Sequence, residues 1–125
     1  MKQGIRIAWL VLGCLISTSC QKEEDSGVLI RVRNSSGYSF EQVYVNTSGG
    51  ENDYGTIQPG GKSTYHSFTT AFSYAYIRVV IQGRELVLQP TDYVGETPLE
   101  PGRYTYVVNV SDLASRRLSL VLDKP

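Results

Sequence analysis

Alternation of apolar and polar residues constrains the fold of this 125-residue chain more than any other feature of its sequence. From Val28 to Arg33, valine and isoleucine occupy every second position, and Arg31 and Arg33 lie between them. The segment Tyr74 to Gln82 is the strongest example, with apolar residues at alternate positions Ala75, Ile77, Val79 and Ile81. Because successive side chains of a strand point to opposite faces, this spacing predicts half-buried β-strands.

Similar segments recur along the chain and are separated by turn residues, such as Asn34-Ser35-Ser36-Gly37 and Pro59-Gly60-Gly61. The predicted strands cover residues 28–33, 40–46, 63–68, 74–82, 85–89, 104–110 and 118–122, with a further short strand at 54–57. Residues 47–53 and 90–102 are predicted loops, and residues 111–117 are predicted to form one helical turn. Seven or eight short strands, with turn signals every 8–12 residues or so, predict an all-β, single antiparallel β-sandwich.

One corner of this predicted sandwich resembles a known motif. Leu99-Glu100-Pro101-Gly102-Arg103-Tyr104 is similar to the L-x-P-G-x-Y step that enters a late strand of many immunoglobulin-like and prealbumin-like domains. The resemblance implies a structural tyrosine corner, in which the Tyr104 hydroxyl bonds to nearby backbone. It does not distinguish the two fold families, and it implies no function.

The first twenty residues have a different character from the rest of the chain. Lys2 and Arg6 precede ten uncharged residues, 7–16, and the small polar residues 17–19 then lead to Cys20. A basic segment, a short apolar segment and a small-residue site predict a secretory signal peptide over residues 1–19, cleaved between Ser19 and Cys20. The apolar segment is too short for a transmembrane helix, which needs about 20 residues.

The cleavage site resembles the lipobox of bacterial lipoproteins. Ser17-Thr18-Ser19-Cys20 departs from it at Ser17, where the family usually has a large aliphatic residue. Val11-Leu12-Gly13-Cys14 matches better by letter, but cleavage there would leave Leu15-Ile16 exposed on the mature chain. Cys20 is therefore the favoured lipid-attachment residue and Cys14 the alternative. The resemblance implies a lipoprotein whose Cys20 thiol carries diacylglycerol, with fatty acids such as palmitate holding the chain on a membrane.

The charged residues after Cys20 resemble another lipoprotein signal. Gln21-Lys22-Glu23-Glu24-Asp25 is similar to the acidic export tag of Bacteroidota-type surface lipoproteins. This resemblance implies an outer-membrane location facing the cell surface, and a periplasm-facing anchor is the alternative. Residues 20–27 then form the lipidated tether, whose last seven residues reach at most about 25 Å. Residues 28–125 form the predicted sandwich domain.

Composition excludes several classes of function. The chain has 12 basic and 12 acidic residues, and this zero net charge argues against a nucleic-acid partner. One histidine, together with two cysteines near the N-terminus, excludes a Cys/His zinc cluster in the body of the protein. No glycine-rich loop has the pattern that holds a nucleotide phosphate. No cofactor and no metal are expected.

Candidate catalytic residues are few. His66 is the single imidazole, and no serine lies in a G-x-S-x-G motif, so a strand histidine is expected. Asp92, Glu96 and Glu100 share one predicted loop and are expected to be solvated. In the other loop, Glu51-Asn52-Asp53 offers oxygen ligands to calcium but lacks the EF-hand pattern. A small envelope hydrolase that uses His66 or these loop carboxylates remains the alternative function.

The nine tyrosines are the unusual feature of the composition. Tyr74 and Tyr76 lie opposite the apolar face of their predicted strand, next to Arg78, and Tyr93 lies in the long loop. Tyrosine supplies a stiff, amphipathic surface that suits binding, so these four residues form the candidate binding surface. The leading hypothesis is a non-catalytic, membrane-anchored surface protein with a binding or assembly role. Its partner would be an extracellular polymer, a host surface or an envelope protein, the last through exposed edge strands.

Overall fold

The computed structural model describes residues 27–90 and 96–124, which form two four-stranded β-sheets. The strands, in chain order, are β1 (Val28–Asn34), β2 (Gln42–Asn46), β3 (Glu51–Asp53), β4 (His66–Phe68), β5 (Tyr76–Ile81), β6 (Arg84–Leu88), β7 (Gly102–Asp112) and β8 (Arg117–Asp123). The predicted β-sandwich is confirmed. Among the described residues, no helix is long and apolar enough to cross a bilayer.

The first sheet has the strand order β4-β1-β7-β8, and the second has the order β3-β2-β5-β6. Five of the six pairs of neighbouring strands are antiparallel. The sixth pair, β1 with β7, runs parallel, in a register from Val28 opposite Gly102 to Asn34 opposite Val108. Alternation within each strand predicted the sandwich but carried no information about this direction.

The core lies between the two sheets and follows the predicted alternation. Ala75, Ile77, Val79 and Ile81 are all buried, as are Val28, Ile30 and Val32 of β1. Arg31 and Arg33 lie on the opposite, outer face of β1, as predicted. The core is completed by apolar residues from both sheets, among them Val43, Val45, Phe68, Leu86, Tyr106, Val108 and Leu118.

Phe40 does not lie where alternation placed it. Strict alternation along the predicted strand 40–46 puts Val43 and Val45 on one face and Phe40, Gln42 and Tyr44 on the other, outer face. The Phe40 side chain is nevertheless fully buried. Strand β2 begins only at Gln42, after a bend at Glu41, so the two-residue period does not extend back to Phe40. Instead, Phe40 forms an isolated bridge with Ile57, in which each backbone N–H donates to the other's carbonyl at 2.9 Å.

The predicted helical turn at residues 111–117 is wrong, because this segment is the β7–β8 hairpin. Asp112 ends β7, and its carboxylate accepts hydrogen bonds from the Ser115 hydroxyl at 2.8 Å and the Ala114 N–H at 3.1 Å. The Ser115 bond is the main reason that the pKa of Asp112 is below its ordinary value. Aspartate bonds in this way at helix caps and at turns alike, so its presence alone did not distinguish the two.

The edges of the two sheets meet on both sides of the sandwich. Residues 51–53, predicted as loop, form β3, and the β2–β3 turn places the Gly49 carbonyl within reach of the Thr69 and Thr70 N–H groups, at 3.0 and 3.3 Å. A Cβ atom on Gly49 would lie 2.5 Å from the Thr70 Cβ, so this approach requires glycine. On the other side, β6 and β8 have Cα atoms within 8 Å of each other.

Asn34, the last residue of β1, is fully buried and holds the adjoining loop. Its amide nitrogen donates to the carbonyls of Tyr38 at 2.6 Å and Ile57 at 3.0 Å. Its amide oxygen accepts from the Ser36 backbone N–H at 2.9 Å and from the Ser36 hydroxyl at 2.7 Å. The side chain therefore satisfies polar groups of three residues at once and joins the loop after β1 to Ile57.

Asn34→Ala should lower the free energy of unfolding by about 2–3 kcal/mol, because several buried polar groups lose a partner together. Urea unfolding measures this change. The matched control is Asn109→Ala, since Asn109 is exposed on β7, and it should change the value by less than about 0.5 kcal/mol. Equal effects of the two variants would contradict the role given to Asn34.

Candidate functional site

The outer surface of the second sheet carries a cluster of aromatic and charged side chains. In the strand register, Tyr44 of β2 lies opposite Arg78 of β5, and Asn46 lies opposite both Tyr76 and Glu51. Directly opposed residues share a face of a sheet, so all five side chains lie on the side away from the core. These five residues are referred to below as the outer tyrosine face.

Arginine and tyrosine contacts order the centre of the outer tyrosine face. The rings of Tyr44 and Tyr76 meet edge to face, with centroids 6.0 Å apart and planes at 75°. The Arg78 guanidinium lies 4.7 Å from the Tyr44 ring centroid, and its Nε lies 3.5 Å from a carboxylate oxygen of Glu85. Edge-to-face and cation–π contacts of this kind hold aromatic side chains in place at an exposed surface.

The Tyr44 hydroxyl is part of a polar network. It donates to the Glu51 carboxylate and accepts from the Asn46 side-chain amide at 3.3 Å. The bond to Glu51 favours the protonated phenol and is the main cause of a Tyr44 pKa above its ordinary value of 10.0. Glu51 in turn becomes an oriented acceptor beside an aromatic ring.

An open depression of about 350 Å³ adjoins this network and is lined by Gln42, Asp53 and Gly55. Asp53 lies opposite Tyr44 in the register, so the depression and the ring are neighbours on one surface. In such an arrangement, the aromatic ring can stack on the apolar face of a sugar, and the neighbouring carboxylate and amide groups can hydrogen-bond to the sugar's hydroxyl groups.

The structure brings two of the four predicted binding residues, Tyr76 and Arg78, into the outer tyrosine face. Tyr74 is 47% exposed but precedes β5, and its carbonyl accepts a 3.5 Å hydrogen bond from the Tyr106 hydroxyl. Tyr93 lies outside the described residues, as do the predicted cleavage and lipid-attachment residues Ser19 and Cys20.

Tyr44 and Glu51 were not among the predicted binding residues. Alternation with Val43 and Val45 already placed Tyr44 on an outer face. What the sequence lacked was the register that sets Tyr44 beside Arg78.

The other predicted residues lie elsewhere. The Tyr104 hydroxyl donates to the Glu100 carbonyl at 2.7 Å, four residues upstream, which is the bond described for a tyrosine corner. His66 is half-buried at the start of β4, and its ring centroid lies 4.3 Å from that of Tyr54. Within residues 27–90 and 96–124, no hydrogen bond joins the imidazole to a serine hydroxyl or a carboxylate.

The structure describes four of the five acidic candidates, and Asp92 is the exception. Glu100 is exposed, Glu96 is half-buried, and Asp92 lies in the segment that the structure does not describe. Alternation along β3 directs Glu51 and Asp53 outward, whereas Asn52 donates to the Ser67 carbonyl at 3.0 Å. The oxygen ligands considered for calcium therefore do not converge, and no described group of three His, Cys, Asp or Glu side chains could hold a metal.

No protein-family model and no curated protein sequence matches the chain. Its fold is similar to the NMR structure of a protein from Eubacterium rectale, with a TM-score of 0.56 and 12% sequence identity. The match covers 81% of this chain and 94% of that chain. At this level of identity, the likeness concerns the β-sandwich fold alone.

Glu51→Gln should lower the pKa of Tyr44 towards 10.0, because the neutral amide no longer favours the protonated phenol. Ring NMR signals followed through an alkaline titration measure the pKa. Because the pKa of Tyr44 is raised in the folded state, the hydrogen bond to Glu51 contributes to stability below about pH 10. This contribution is lost as the pH rises and the phenol ionises. Glu100→Gln is the control and should leave Tyr44 unchanged, and an unchanged Tyr44 pKa in Glu51→Gln would contradict the network.

Proposed function

We propose that this chain is a lipid-anchored, non-catalytic envelope protein that binds an extracellular polysaccharide at the outer tyrosine face. The observation that carries the proposal is the ordered Tyr44–Tyr76–Arg78 contact beside a depression lined by polar groups. Rigid tyrosines lose little conformational entropy on binding, which suits them to a flat sugar surface.

Contacts at the edges of the sheets favour binding at a sheet face over binding by strand addition. A partner that adds a strand needs an edge with free backbone groups. The β2–β3 turn is hydrogen-bonded to Thr69 and Thr70 after β4, and Asn52 bonds to the Ser67 carbonyl within β4. Strand β6 lies beside β8 on the other side. These contacts leave less room for strand addition and favour the outer tyrosine face.

Anchoring rests on the N-terminal sequence. Cys20 precedes the first residue of β1, Val28, by eight positions. A tether of this length would hold the sandwich within about 25 Å of the membrane surface. The end of the sheet at which β1 begins would then face the membrane, and the outer tyrosine face would lie along the side of the domain. A surface-facing location follows from the resemblance of residues 21–25 to an acidic export tag.

Cys20→Ala should abolish metabolic labelling of the protein with radioactive palmitate, because the thiol that would carry the lipid is absent. Cys14→Ala is the matched control and should be labelled like the unaltered chain. Labelling that disappears in Cys14→Ala and persists in Cys20→Ala would move the lipid to the alternative residue. An unaltered chain without label would contradict anchoring by lipid.

Tyr44→Ala should weaken binding to cell-surface polysaccharide by about tenfold, because one stacking contact contributes up to about 1.5 kcal/mol. Affinity electrophoresis through gels containing individual purified polysaccharides measures the loss. Tyr74→Ala is the control, since Tyr74 is exposed but lies outside the cluster. Equal retardation of both variants and the unaltered protein would contradict the assigned face.

If no polysaccharide retards the chain and crosslinking on cells joins it to one envelope protein in fixed ratio, an assembly role replaces the proposed one.

A further inference from the structure

The outer face of the first sheet is basic at the end where β1 and β7 begin. Arg31 projects outward from β1 and lies opposite Thr105 in the parallel register. Arg103 projects outward from β7 and lies opposite Leu29. This pair is two residues nearer the start of both strands than the pair of Arg31 and Thr105. Arg103 and Thr105 are two residues apart in β7 and face the same side, so Arg103 is a diagonal neighbour of Arg31 on the outer face. The two arginines therefore lie close together on the outer face of the two central strands, although 72 positions separate them in the sequence.

A small cavity of about 60 Å³ lies between these arginines. Its walls are formed by side chains from β1, β7, the end of β8 and the residues before β4: Arg31, Tyr65, Arg103, Thr105, Asp123 and Lys124. The guanidinium carbons of Arg31 and Arg103 lie 4.9 and 5.6 Å from the Tyr65 ring centroid. Both guanidinium groups are thus held in place by cation–π contacts with the same aromatic ring.

The Arg31 side chain is oriented but not neutralised. Its Nε donates to the Thr105 hydroxyl at 3.0 Å. That bond leaves the two terminal nitrogens of the planar fork for another acceptor. Among the described residues, the ion pair within 4.0 Å is Arg78 with Glu85 on the other sheet. Neither Arg31 nor Arg103 is ion-paired with a described carboxylate, Asp123 included.

The charges around the cavity indicate which anion it would accept. Arg31, Arg103 and Lys124 carry three positive charges, and Asp123 carries one negative charge, which leaves two positive charges unmatched. A phosphate monoester carries nearly two negative charges at neutral pH, whereas a carboxylate carries one. Guanidinium groups also bind phosphate oxygens through paired N–H bonds.

We propose that this pocket binds the phosphate monoester group of a ligand between Arg31 and Arg103. The small volume suits a single phosphoryl group, with the rest of the ligand outside. The pocket adjoins the start of β1, from which the tether would leave. The phosphate could therefore belong to a lipid headgroup at the membrane or to a soluble molecule. The site does not depend on the outer tyrosine face or on lipidation.

Titration of the purified full chain with inorganic phosphate, in uncharged detergent micelles at constant ionic strength, tests the pocket. The side-chain Nε–H NMR signals of Arg31 and Arg103 should shift and saturate. Arg103→Gln should weaken binding about tenfold, and because Arg103 is exposed this variant should retain the fold. The matched control is Arg84→Gln, since Arg84 is an exposed arginine of β6, and it should bind like the unaltered chain.

Absence of saturation, an equal loss in Arg84→Gln, or acetate binding as tight as phosphate would each overturn the proposal. The source of the phosphate is resolved by adding short-chain lipids to the same micelles. Displacement of phosphate by phosphatidic acid, a monoester, would support a headgroup ligand. No displacement, with phosphate binding retained, would support a soluble ligand. Equal displacement by phosphatidylglycerol, a diester, would overturn selectivity for the monoester.

Discussion

The parallel pairing of β1 with β7 is the constraint on which the rest of the structure depends. β1 lies inside the first sheet, between β4 and β7, so that sheet cannot form without it. Two parallel neighbours cannot be joined by a tight turn, and here the whole second sheet and β4 lie between them in the sequence. Contacts such as Arg31 with Thr105 join residues 74 positions apart. The sandwich therefore closes through long-range contacts, which are typical of slow-folding all-β domains.

This pairing also determines what each side of the first sheet can do. On the inner side it brings Ile30 and Val32 against the core, where the β7 residues Tyr106 and Val108 are also buried. On the outer side, the same register brings together two arginines that the sequence places far apart. Charge that sums to zero over the chain is thus distributed unevenly over its surface. A zero net charge argued against a nucleic-acid partner, but it carried no information about a local anion site.

Alternation along single strands predicted much of the fold. It identified the inward side chains of β1 and β5 and gave the sandwich class, because one face of each strand has to be buried. It did not predict which strands are neighbours, since strand register depends on contacts between distant segments. For that reason Tyr76 and Arg78 were predicted as binding residues, whereas Tyr44, which lies beside them only in the folded register, was not. Phe40 was placed on the wrong side because a bend interrupts the two-residue period before Gln42.

Five of the described tyrosines fall into two groups according to the partners of their hydroxyl groups and rings. Tyr54, Tyr104 and Tyr106 donate to backbone carbonyls, of Ile30, Glu100 and Phe72 respectively. Burial raises the pKa of Tyr54, as expected for a phenol held among core residues.

Tyr44 and Tyr65, by contrast, lie on the outer faces of opposite sheets and contact arginine guanidinium groups. The first group binds loops and strands to the core, and a hydroxyl used in this way is not free for a ligand. The second group offers ring faces and oriented cations at the surface. These tyrosines therefore serve two separate physical roles in this fold, and the second group, together with Tyr76 beside Tyr44, supports a binding role.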